Sequence, residues 1–139
     1  MKLRGNCNPP QFDPIGLWVP LGQTVRWRAE SQTHKLSAYH PDNGKELRIP
    51  EKARPWSVML DAGCPEIPES FDYTFTVEGV YDYFCEMHEQ MGMVGRIVVG
   101  EPKGPAKPLE QGIPKAAWAL MPSVEQIMRE KTVSVPKSC

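Results

Sequence analysis

Between Gly79 and Gly100 the chain reads GVYDYFCEMHEQMGMVGRIVVG, and Cys85, His88 and Met93 stand in it at the spacing Cys-x2-His-x4-Met. A thiolate, an imidazole and a thioether are soft to borderline donors, a set that suits copper better than calcium or magnesium. Strand-like runs lie on both sides, VYDYF before the donors and GRIVV after them. A Cys at the end of the first strand, followed by a tight return, lets the His and Met fold back toward one point. Gly92 and Gly95 are expected to supply the backbone conformations of that return. Met91 competes with Met93 for the thioether role, and Met87 is expected to point outward. A His2Cys set with a weak axial sulfur needs one more imidazole, and the chain offers His34 and His40. His34 is expected to open the strand after TVRWRAESQT, at one end of a sandwich. His40, just before Pro41, falls outside that position.

The elements that must position these donors are short strands. TVRWRA (Thr24 to Ala29) sets Val25 and Trp27 against Thr24, Arg26 and Arg28, the period-two pattern of a half-buried strand. SFDYTFTV (Ser70 to Val77) alternates in the same way, with Phe71, Tyr73, Phe75 and Val77 on one face. Tyr81–Phe84 and Gly95–Gly100 read as two more strands, and short strands between turns favour an antiparallel sandwich. From Pro41 to Glu69 the chain is rich in proline, and only WSVML resembles a strand there. Connections this long are usually functional or packed over something. Beyond Gly100, EPKGPAKPLEQGIP reads as a linker. Ser123 with Gln126 three residues on then forms a capping-box start for a short helix over SVEQIMREK, docked on the sandwich. Trp18, Trp27 and Trp56 are expected in the core or at its edge. Lys103, Lys107 and Lys115 are expected as solvated charges.

Residues Gly22 to Gly100 resemble the cupredoxins of plastocyanin and pseudoazurin type. The resemblance is carried by GQTVRW followed by His34, and by FTVEGVYDYFCEMHEQMGMVGRIVVG, whose Cys, His and Met match the family loop position by position. It implies an all-β fold, a cupredoxin Greek-key β-sandwich with a Pro-rich insertion and a short C-terminal helix. Residues 1–100 would form the copper-binding domain, and residues 101–139 a linker and extension. One copper ion, Cu(I) or Cu(II), would be held by His34, Cys85 and His88 as equatorial ligands and by Met93 axially. The implied activity is that of a type 1 (blue) copper protein, a one-electron carrier rather than an enzyme, similar to plastocyanin or pseudoazurin. Transient redox protein partners and a periplasmic or otherwise extracytoplasmic location follow from the same resemblance. AYHPDNGKELRIPEKARPW is similar to an insertion found in bacterial copper-binding members.

Three positions depart from the pattern. Lys35 stands where the family often has an Asn that bonds across to the Cys loop. Glu86 and Glu89 flank the ligands where small, apolar or proline residues are common. The interval from His34 to Cys85 is also longer than usual. Copper storage or delivery is the alternative that the seven methionines and His40 raise, and an open-site copper protein follows if Met93 is not a ligand. Without a Met-rich tract, scattered methionines read better as core filler.

Composition narrows the remaining classes. A net charge of −1 carries no basic footprint for nucleic acid. No run approaches the roughly 18 apolar residues of a membrane span. Fifteen prolines and eleven glycines without a collagen period fit many turns between short strands. With Cys85 committed, either Cys7 pairs with Cys64 and leaves Cys139 as a terminal thiol, or all three are unpaired; spacing leaves both open. The start MKLRGNCNPP has no apolar core of a secretory leader, so the compartment rests on the resemblance alone.

Overall fold

The computed structural model describes residues 1–135. Those residues form the strands β1 (Lys2–Arg4), β2 (Gln11–Asp13), β3 (Gly16–Val19), β4 (Thr24–Ser31), β5 (Thr33–Ala38), β6 (Ser57–Asp61), β7 (Ser70–Thr74), β8 (Gly79–Cys85), β9 (Val94–Val99) and β10 (Thr132–Val133), with one helix, α1 (Val124–Glu130). One sheet runs β2-β1-β4-β7 and the other β10-β3-β9-β8-β5-β6. Pairing is antiparallel except for β1 with β4 and β3 with β9. The two sheets face each other across a single main core.

The alternation in β4 is realised in full: Val25, Trp27 and Ala29 are buried, while Thr24, Arg26, Arg28 and Glu30 face water. Trp27 is the hub of that core, with the rings of Trp56, Phe71, Phe75 and Tyr83 within 6.4 Å of its own. β7 stops at Thr74, short of Val77, although Phe75 still donates to the Gln23 carbonyl and accepts from the Gly22 amide.

Every residue of β8 and β9 is buried, because their sheet is covered on both faces. Tyr81, Tyr83 and Cys85 look into the sandwich. On the outer face, Phe84 and Val94 pack with Tyr39, Ile113, Ala117 and Met121 toward the Cys85 end. Val80 and Val98 pack there with Ile127 of α1. Between these two apolar clusters lie Asp82 and Arg96, opposite each other in register. Asp82 accepts from Arg96 and from Arg48, with N–O distances of 2.7–3.0 Å. Arg48 donates on to the carbonyls of Lys107, Pro108 and Gln111, and Arg96 to that of Pro122. Guanidinium groups supply fixed, always-charged donors, so these two tie the chain after Gly100 to the sheet. The segment predicted as a linker thus lends its backbone oxygens to buried arginines.

The helix forms where the capping box predicts it, with the Ser123 hydroxyl accepting from the Gln126 amide. SVML of the WSVML run enters β6, which extends the sheet beyond β5, while Trp56 lies just before the strand. Gly95 has a different role from the one expected. Its φ is not positive, and instead a Cβ there would fall 2.4 Å from the Tyr83 ring, so the aromatic side chain fills the space. The cysteine expectations are overturned as well. Cys7 is disulfide-bonded, whereas Cys64 is a free thiol. The amide of Cys64 is taken up in a turn on the Asp61 carboxylate, and its sulfur faces Glu66. Cys139 lies outside the described residues.

Candidate metal centre

β5 opens with Thr33 and His34, and pairing with β6 fixes the His34 backbone opposite Leu60. The His34 ring is fully buried. Its Nε2 lies 2.7 Å from the Ser31 carbonyl, which can only accept, so the N–H is on Nε2 and the Nδ1 lone pair is free. That Nδ1 is 3.6 Å from Cys85 Sγ, at the end of β8. The chain then turns through His88 into a 3-10 turn over Glu89–Met91, closed by Gly92 at φ 97°, a left-handed conformation that favours glycine. His88 Nδ1 is also 3.6 Å from Cys85 Sγ. The donor atoms of His34, Cys85 and His88 all lie within 4.8 Å of one another. Met93, fully buried, closes the loop: its carbonyl accepts from the Cys85 amide at 3.0 Å and its amide donates to the His88 carbonyl at 3.2 Å.

Burial pushes the Cys85 thiol up and the His34 imidazole down, since both charged forms lose solvation. Opposing these shifts, the backbone amides of Lys35, Met87 and His88 favour the thiolate, and the Ser31 carbonyl favours the imidazolium. Without a metal the pair therefore rests as thiol and neutral imidazole. Holding a metal ion would require the Cys85 thiolate, whose charge the three amides would stabilise. The residues fit a single soft ion. Metal bonds of about 2.0–2.3 Å place neighbouring donors roughly 3.5–4 Å apart, and the sulfur–nitrogen distances here are 3.6 Å.

The other candidates fall elsewhere. His40 caps the turn Pro41–Asn43, its Nδ1 accepting from the Asp42 amide at 2.9 Å. Met87 and Met91 are exposed, at 49% and 53%. Lys35 links strand to loop: its carbonyl accepts from the Glu86 amide and its ammonium lies 3.3 Å from the Glu86 carboxylate. Sequence reasoning missed Glu89. It reads there only as an acid flanking the ligands, whereas its carboxylate is buried between Tyr39 and Lys45. No local signal marks it, because both partners lie more than forty residues upstream.

Residues 1–100 match the family of copper binding proteins, plastocyanin/azurin family. The chain belongs to that family. As a cupredoxin it is 27% identical over 99 residues, 71% of its length, to a chloroplastic plastocyanin of Tetradesmus obliquus, and it spans 65% of that relative. Against the chloroplastic plastocyanin of Hordeum vulgare it is 30% identical over 90 residues and spans about half of that protein, 54%. A solved pseudoazurin from Sinorhizobium superposes with a TM-score of 0.53 at 30% identity, over 88% of this chain and 80% of the other. The pseudoazurin of Methylobacterium extorquens shares the fold, with a TM-score of 0.61 at 21% identity over 85% and 88% of the two chains. Both sheets of the sandwich and the short C-terminal helix agree with the fold that the resemblance implies.

Proposed function

We propose that this cupredoxin binds one copper ion through His34, Cys85, His88 and Met93 and carries single electrons between protein partners. The observation that carries the proposal is the buried Cys85 sulfur, with an imidazole Nδ1 3.6 Å away on each of two sides. Copper, when bound, supplies the Cu(I)/Cu(II) couple. His34 is fixed by the Ser31 carbonyl and by β-pairing on both edges of its strand, and Cys85 by β8 and three facing amides. Ligands held this firmly keep their places in both oxidation states, which keeps reorganisation small. Full burial of His34, Cys85 and Met93 keeps substrate away from them and supports carriage over catalysis.

His88, only partly buried, is the route for the electron to the surface, with exposed Gln90 and Met91 beside it. Partners dock there weakly and leave quickly, as a shuttle requires. The disulfide at Cys7 supports an oxidising, extracytoplasmic compartment. Residues 1–100 form the copper-binding unit, and the extension after it covers the outer face of the larger sheet.

One equivalent of Cu(II) tests the reading. The expected result is intense visible thiolate-to-copper absorption, narrow EPR hyperfine splitting, and protection of Cys85 from alkylation while Cys64 still reacts. A pale adduct with Cys85 as reactive as before would refute it.

A further inference from the structure

Three of the proposed ligands are positioned by β-structure: His34 lies in β5, Cys85 ends β8, and Met93 directly precedes β9. His88 is on the loop. Among the described residues, the hydrogen-bonding contact of its ring is with the Cys85 sulfur, so its direction depends on the backbone of the turn it opens. The next side chain is Glu89, 5% exposed, and both of its carboxylate oxygens are engaged. Oε2 accepts from the Tyr39 hydroxyl at 2.6 Å, and Oε1 lies 2.7 Å from Lys45 Nζ. Short hydrogen bonds to an ionised acceptor are among the stronger ones in proteins.

The far end of this strut is anchored in the fold. Tyr39 is fully buried, its ring 4.5 Å from that of Phe84. Its amide donates to the Asp82 carbonyl and its carbonyl accepts from the Arg48 amide. Lys45 donates its amide to the His40 carbonyl and holds its ammonium 5.2 Å over the Phe84 ring. A buried carboxylate in a loop is tolerated only when paired, and this one is paired entirely to the chain that follows β5. We propose that Glu89 is a positioning residue for His88, clamping the metal loop to Tyr39 and Lys45 so that the imidazole keeps one direction whether or not metal is present. The metal part of this proposal rests on the copper reading; the loop part does not.

Two readouts test it. In the metal-free protein, Glu89→Ala is expected to speed hydrogen exchange of the His88, Met91, Gly92 and Met93 amides by about tenfold or more, with the β8–β9 ladder unchanged. In the copper-loaded protein the same variant is expected to shift the reduction potential and broaden the EPR hyperfine lines. Glu89→Gln, which can still accept from Tyr39, falls between wild type and Glu89→Ala. Tyr39→Phe removes one bond with the ring packing kept, and decides the question if Glu89→Ala does not fold. Wild-type exchange rates together with a wild-type spectrum, in whichever of these variants folds, overturn the proposal. Failure of the wild-type chain to take up copper defeats the functional reading instead, and the metal-free exchange still decides the role of Glu89.

Discussion

His34 and His40 lie six residues apart, and the structure gives them opposite duties. His34 faces Cys85, while His40 spends its Nδ1 on a turn. His34→Ala is expected to abolish the visible band and weaken copper binding by more than about a hundredfold, whereas His40→Ala leaves both unchanged. Met93→Leu is expected to keep the colour and shift the potential, as suits a weak axial ligand; absorption spectra and voltammetry check all three. The nearness of Cys85 and His88 is legible because one short loop carries both, with buried Met93 closing it through its backbone. His34 was legible from the strand before it. Glu89 was not, since its burial depends on Tyr39 and Lys45, which sequence spacing does not connect to it. Gly95 is needed for a different reason from the one its sequence suggests: a strand glycine can answer a neighbour's ring, and the ring of Tyr83 is placed by cross-strand register.

Among the elements, the alternation of β4 and the capping box of α1 spoke for themselves. β8 and β9 read as plain apolar strands, and their sequences contain no hint of what lies on their outer face. Asp82 and Arg96 interrupt those runs, and only the fold pairs them with Arg48 and with four backbone carbonyls of the later chain. Removing one partner of a buried ionic group leaves charge stranded. Asp82→Ala, which strands two guanidinium groups, is expected to lower unfolding stability by about 3–5 kcal/mol. Asp72→Ala, which breaks the solvent-exposed pair with Arg26, should change it far less. Urea unfolding of the copper-free variants separates the two cases.

For the molecule as a whole, all four tyrosines are buried, and burial pushes each phenol above its ordinary range. The unfolded chain releases phenolic protons near pH 10, whereas the native protein retains them. Unfolding stability is therefore insensitive to these groups below that pH. Above it, stability falls by up to about 1.4 kcal/mol per tyrosine per pH unit. Unfolding midpoints between about pH 9 and 11, read with phenolate absorbance, should show the loss and locate the phenolate in the unfolded state alone. The carbonyls that receive Arg48 and Arg96 come later in the sequence than both sheets' longest strands. Without residues 107–122 the two guanidinium groups would keep Asp82 and give up four carbonyl acceptors to water. The inter-sheet core is drawn from residues 3–99, so what this later segment completes is the outer face of the larger sheet, behind the strands that carry Cys85 and Val94.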